Sequence, residues 1–443
     1  MQSKQDLKEA IVRDVDAHRD ELFGIGDTIL RNPELGFKEF KTAALVAKHF
    51  AELGLPHRDG LAITGVKARL SGGRPGPTVA IMGELDAVVV PGHPFADPVT
   101  NAAHACGHNA QITSLLGAAG ALVRSGAIEQ MAGSLVFYAV PAEELVEIEY
   151  RMGLRRDGKV EFFSGKQELI RLGEFDDVDM CMLVHASSDP ETKMAGIDYS
   201  FNGCMAKFIQ YVGKAAHAGS SPHQAVNALN AANIGMQAIH AQRETFRDED
   251  SVRVHPIITK GGDLVNVVPA DVRMETFVRA KTVEAMVDAN AKVDRCLKAG
   301  AMAVGGGVKI TTIPGYLPLE TYPRLMKLYK GNCLPLIGGE GFWAEGRHCA
   351  GSTDMGDMSM IMPTVQPNMG GVTGSGHGAD YKIMDPDALY LTPAKAMAMT
   401  AVDLLFGDAQ EARAVLEEQK PRFAKEEYLA FIREMAKVEE YRA

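Results

Sequence analysis

Thr78-Val79-Ala80-Ile81-Met82 is an uninterrupted apolar run that follows the Gly/Pro-rich stretch from Ser71 to Pro77, and its reading decides the fold. A short run apolar on both faces reads as a strand covered on both sides, as in the middle of a parallel sheet. Residues 135–140 (LVFYAV) repeat the pattern, and residues 178–184 give it a third time. Between the first two lies a helical stretch starting near Asn109, with Ile112, Leu115, Leu116, Ala119 and Leu122 on one face. Strands alternating with helices predict an α/β fold with a mixed, largely parallel sheet.

Upstream, helical periodicity runs over residues 4–30. Asn32-Pro33-Glu34-Leu35-Gly36 makes a turn, and a second amphipathic helix passes through Thr42, Leu45, Val46 and Phe50. Downstream the rhythm changes. A strand at 206–212 precedes a helix that opens at Ser221-Pro222, Ser as N-cap and Pro in the first turn. Strands at 253–259 and 267–278, a helix over 283–299 and a strand at 308–313 complete a βαββαβ, ferredoxin-like order. The expected organisation is a discontinuous catalytic domain of residues 1–200 and 314–443, with residues 201–313 inserted. A charged helical tail is expected over 408–443.

The 443 residues carry 46 Lys+Arg against 57 Asp+Glu, a net charge of −11. That balance argues against nucleic acid or an anionic membrane surface as partner, and the local cluster of Arg151, Arg155 and Arg156 is too short to reverse it. No apolar run is long enough to span a membrane, and residues 1–23 lack the apolar core of a secretory signal. The six cysteines are scattered without a C-x-x-C pair, so reduced thiols and a cytoplasmic location are expected.

Polar groups cluster just beyond the predicted strands: Glu84 and Asp86 after the first, Glu143 and Glu144 after the second, His185 after the third. In an open parallel sheet these carboxyl ends share one edge, where ligands bind. His104-Ala105-Cys106-Gly107-His108-Asn109 lies just before a helix and adds two imidazoles and a thiol, donors that suit a divalent transition metal. Singly, each group has an ordinary explanation as a solvated acid or a packing histidine. Together, acids in a cleft need a cation or a raised pKa, and a metal accounts for the whole set.

These residues also carry a resemblance. Asn32-Pro33-Glu34-Leu35-Gly36-Phe37, His104-Ala105-Cys106-Gly107-His108, Pro141-Ala142-Glu143-Glu144, Gly213-Lys214-Ala215-Ala216-His217-Ala218 and Gly261-Gly262 through Asn266-Val267-Val268-Pro269 resemble the motifs of the M20 metallo-amidohydrolases. The similarity is to the branch of hippurate, auxin-conjugate and aminobenzoyl-glutamate hydrolases. It implies two divalent metal ions, manganese or zinc first and cobalt or nickel as alternatives. Their ligands would be Cys106, His108, Glu144, His185 and His377, with the Cys106 thiolate bridging. It further implies Glu143 as general base, Asp86 supporting the ligands, His217 steadying the oxyanion, and Asn266 and Arg279 binding the substrate carboxylate. The inserted domain would serve as lid and as the contact of a homodimer.

Asn109 stands where hippurate-type members carry Asp, and with Gly351-Ser352-Thr353-Asp354 it leans towards the aminobenzoyl-glutamate and dipeptide-like subgroup. His377 precedes Gly-Ala-Asp rather than the commoner Ser-Pro, and residues 147–177 form a charged excursion that either shapes the site or lies exposed. The activity implied is hydrolysis of the amide bond of a small N-acyl or N-aroyl amino acid by metal-activated water. The rivals are a dipeptidase of the same family, a nucleophilic mechanism on Cys106, and a binding protein that has lost catalysis.

Overall fold

The structure is a computed structural model that describes residues 2–188, 194–343 and 346–443. The chain divides into two compact units. The first comprises Met1–Tyr199, Glu320–His348 and Met358–Arg422; the second comprises Ser200–Leu319, Cys349–Asp357 and Phe423–Ala443.

A six-stranded sheet forms the centre of the first unit, in the order His57–Leu61, Gly65–Ser71, Ala132–Val140, Arg74–Glu84, Met180–Met182, Thr364–Val365. The first two pairings are antiparallel and the other three parallel, so the sheet is mixed with a parallel centre. Val79, Ala80, Ile81 and Met82 are completely buried, which is why this strand has no alternation of polar and apolar residues. The helix His108–Arg124 is buried over nearly its whole length. Strand Arg74–Glu84 lies on one side of it, and the helices Lys4–Ala17, Arg19–Leu30 and Thr392–Leu405 also pack on it. The predicted 4–30 helix is therefore two helices, broken at His18, whose φ of −102° and ψ of 17° leave the helical region.

Gly107 starts the long helix from a left-handed conformation, φ +89°. A Cβ there would stand 2.5 Å from the Ala186 Cβ and 2.8 Å from the Tyr381 hydroxyl. Only glycine satisfies both demands, and its two neighbours are Cys106 and His108.

The second unit is built on an antiparallel sheet ordered Arg253–Val254, Asp271–Ala280, Gly203–Val212, Gly307–Pro314, Lys437–Arg442, with Ile257–Lys260 also paired to Asp271–Ala280. Helices Ala228–Ala241 and Val283–Ala303 pack together over it, their small residues meeting Ile209, Tyr211, Val272, Met274, Val308 and Ile310. Strand Asp271–Ala280 alternates buried and more exposed residues along its length, the mark of a sheet covered on one face.

Two expectations change here. The first helix of this unit begins at Ala228 rather than Ser221, because the Asn227 side chain caps it by accepting the N–H groups of Leu229 and Asn230. Ser221-Pro222 opens only a short 3-10 turn, Pro222–Gln224. The tail is not helical to its end: after helices Gln410–Glu418 and Lys425–Met435, residues Lys437–Arg442 form a strand that pairs with Gly307–Pro314 and belongs to the second unit.

Lys207, on the helix-facing side of its strand, is 1% exposed and donates to Asp294 at 2.6 Å and Thr312 at 2.8 Å. Removing one partner of such a buried pair strands the other charge. Asp294→Ala should lower stability by about 3–5 kcal/mol, whereas Lys207→Met combined with Asp294→Leu should cost little; urea unfolding of both variants measures the difference.

Candidate metal centre

The carboxyl ends of the first unit's strands meet around Asp86. Its carboxylate accepts the backbone N–H of Glu143 at 3.1 Å and of Glu144 at 2.9 Å. Its carbonyl oxygen accepts from His108 Nδ1 at 2.8 Å, which places a proton on Nδ1 and turns Nε2 towards Glu84 and the thiol. Ala142, just before the paired acids, has a φ of +53°, unusual for a residue with a side chain. It is held there by the buried Glu39, whose carboxylate accepts the Ala142 N–H at 2.8 Å and the Thr64 hydroxyl at 2.7 Å. Burial first, and the nearby Asp86 charge second, push the Glu39 carboxyl up to about 7.

Among the described residues, three sets have donor atoms that lie within 4.8 Å of one another inside each set: Cys106, His108 and His185; Cys106, Glu144 and His377; and Glu84, His108 and Glu143. The first two share the Cys106 sulfur. His185 Nε2 is 3.3 Å from that sulfur, the His185 and His108 rings stand edge to face at 5.9 Å, and His377 Nε2 is 3.0 Å from Glu144 Oε1. His377 reaches its place from a loop through a left-handed backbone, φ +59°, tied by its N–H to the Ala105 carbonyl at 2.9 Å.

The electrostatics centre on the thiol. Burial raises the Cys106 thiol, but the charges of His185 and His108 and the contact with His185 outweigh it and hold the thiol well below its ordinary range. In return, hydrogen bonds to Cys106 and Glu144 push His377 up to about 10. Glu144 is pushed up to about 7, by burial first and then by the Cys106 charge. Buried His108 Nε2 has no hydrogen-bond partner, although it lies 3.0 Å from Glu84 Oε2. An orphaned imidazole nitrogen beside a thiolate, a second imidazole and carboxylates is the donor chemistry of a borderline divalent cation, and these residues fit one.

The structure thus brings together Asp86, Cys106, His108, Glu143, Glu144, His185 and His377. His104 is in none of the three sets; both its ring nitrogens are buried without a partner, and burial, then the His108 charge, lowers it to about 3. His217, Asn266 and Arg279 belong to the second unit. There the exposed His217 accepts the N–H groups of Gly219 and Ser220 at 3.1 Å each, and the Asn266 carbonyl accepts the Ala218 N–H. Arg279 donates to Ser352 at 2.7 Å.

Sequence reading passed over Glu39, Gln111 and Lys166, and took Arg151 only as part of a short basic cluster. Residues 147–177 are exposed only in part, chiefly over 155–159: Gly165–Arg171 is a helix whose first six residues are buried, and Arg151 and Lys166 are both 0% exposed. A lysine or arginine in a charged stretch gives no signal of burial, since such residues are almost always solvated.

Residues 202–317 match the peptidase dimerisation domain. The chain is 29% identical to an Xaa-Arg dipeptidase of Mus musculus over 69% of this chain and 68% of that one. It is 30% identical to thermostable carboxypeptidase 2 of Saccharolobus solfataricus, over 62% and 67%. It is 29% identical to an N-acyl-L-amino acid amidohydrolase of Geobacillus stearothermophilus, over 73% and 84%. Among solved structures, a dinuclear metal-binding peptidase of the M20 family from Bacillus subtilis superposes with a TM-score of 0.68 at 21% identity, covering 88% of this chain and 99% of the other.

The thiol chemistry is directly testable. In the metal-free protein Cys106 should alkylate faster near neutral pH, and with a shallower pH dependence, than an ordinary thiol, because its pKa is held well below the usual thiol range, whereas an ordinary thiol speeds up about tenfold per pH unit. Burial pushes Cys181 and Cys333 up to about 12, so both should stay unlabelled. Mass spectrometry after timed iodoacetamide treatment reads both, and added zinc should protect Cys106.

Proposed function

This chain belongs to the M20 peptidase family, and from that premise we propose that it is a metal-dependent amidohydrolase acting on a small N-acyl or N-aroyl amino acid. It is a hydrolase of amide bonds. The observation that carries the finer reading is the pair of donor triads sharing one thiolate, with Glu143 in the set beside them.

Cys106, His108 and His185 would hold one divalent ion, and Cys106, Glu144 and His377 the other, with manganese or zinc ahead of cobalt or nickel. Ions bound there supply Lewis-acid polarisation of the amide carbonyl and acidify water. Glu143 takes the proton from the attacking water and returns it to the leaving nitrogen. Asp86 orients that base by fixing its backbone N–H, and fixes the His108 ring by accepting from Nδ1. His217 steadies the oxyanion, and Asn266 and Arg279 recognise the substrate carboxylate, in the same reading. A homodimer through the second unit and a cytoplasmic location belong to it too. Among the described residues no helix is long and apolar enough to cross a membrane.

The similarity to an Xaa-Arg dipeptidase supports a second reading, in which the substrate keeps a free α-amino group. Amine release from N-acetyl amino acids, hippurate, indoleacetyl-aspartate, aminobenzoyl-glutamate and dipeptides separates the two. Glu143→Gln should lower kcat by about 10²–10⁴-fold with metal content unchanged. Activity that survives both this change and chelation would sink the mechanism. His217→Ala should lower kcat by about 10²–10³-fold with little effect on KM, measured on the best substrate of the panel.

A further inference from the structure

Glu84 ends the central strand, is 1% exposed, and is held on every side. Its Oε1 accepts from the Lys166 ammonium at 2.6 Å, and its Oε2 accepts from the Gln111 amide at 2.7 Å. The Gln111 side-chain oxygen in turn accepts the Glu84 backbone N–H at 3.0 Å. So clamped, the carboxylate presents Oε2 to His108 Nε2 at 3.0 Å, beside the donor set that shares His108 with Cys106 and His185. A buried carboxylate holds such a position only with a buried counter-charge and a second hydrogen bond. Lys166 supplies the charge from the helix Gly165–Arg171, and Arg151 anchors the same segment by donating to the carbonyls of Ala142, Glu144 and Phe163.

We propose that Lys166 is a positioning residue for the metal centre, acting through Glu84, and that delivering it is the task of residues 147–177. The inference rests on the metal reading above and deepens it: Glu84 directs negative potential at the ion held by His108, and Lys166 with Gln111 fixes where that potential points. Lys166 acts through the carboxylate and touches neither substrate nor ion.

Cobalt(II) titration of the full-length protein, followed by its thiolate charge-transfer and d–d bands, tests this. The wild type should take up two equivalents. Lys166→Met should weaken the equivalent held by His108 by about 10–100-fold and shift its d–d bands, leaving the other equivalent in place. Glu84→Gln should weaken the same equivalent, and adding Lys166→Met to it should change affinity by no more than about threefold, since the carrier of the effect is already gone. The double variant replaces a buried ion pair by neutral groups, so it keeps the test alive should Lys166→Met alone not fold. Gln111→Leu, which releases the other oxygen without stranding a charge, should reproduce the weakening by about tenfold.

Wild-type affinity and bands in Lys166→Met, or in Glu84→Gln, would overturn the inference. So would a Lys166→Met loss that persists in full on the Glu84→Gln background, or, with Lys166→Met alone unfolded, a Gln111→Leu protein that binds like wild type. A wild type that takes up no cobalt overturns the metal reading itself and this inference with it, an outcome distinct from a loss confined to the variants.

Discussion

Everything at the centre hangs on one buried carboxylate. Asp86 lies two residues beyond the end of the central strand, and it catches with its two oxygens the N–H groups of Glu143 and Glu144, from the end of the neighbouring strand. Its own carbonyl catches His108 at the start of the long helix. Three segments that are remote in sequence are thereby locked to one point. That lock fixes the backbone from which Glu143 and Glu144 project, and the ring orientation of His108. Glu39 does the same for Ala142, whose left-handed backbone would otherwise relax and turn the pair of acids away.

The price of concentrating so many donors is a dense, mutually dependent charge pattern. Cys106 is held as a thiolate by its histidines, His377 is held protonated by Cys106 and Glu144, and Glu84 is held as a carboxylate by Lys166 against its own burial. In the metal-free protein each charge is balanced by a proton or an ammonium nearby. A cation entering the donor sets displaces protons from imidazoles, so uptake and proton release are one event.

Much of this was legible in the sequence, for a definite reason. A parallel sheet puts all its carboxyl strand ends on one edge, so finding three buried runs and reading the polar residue after each is enough to gather Asp86, Glu143, Glu144 and His185. What escaped were side chains whose type predicts the opposite of their place. Lys166 and Arg151 lie in a stretch of alternating charge, and nothing local distinguishes them from solvated neighbours. The start of the Ala228–Ala241 helix was misplaced because Ser221-Pro222 has the chemistry of a helix start, while Asn227 six residues on has it too and wins. The last strand escaped because its Lys, Glu and Arg residues read as a solvated helix; at a sheet edge such charges are equally at home.

That last strand also makes the second unit late in synthesis. Residues Lys437–Arg442 complete the sheet of the second unit by pairing with Gly307–Pro314, while the first unit takes Met1–Tyr199, Glu320–His348 and Met358–Arg422. A ribosome delivering this chain therefore finishes neither unit in passing. The first waits for residues 358–422, and the second carries a bare sheet edge along Gly307–Pro314 until Lys437–Arg442 emerge to cover it.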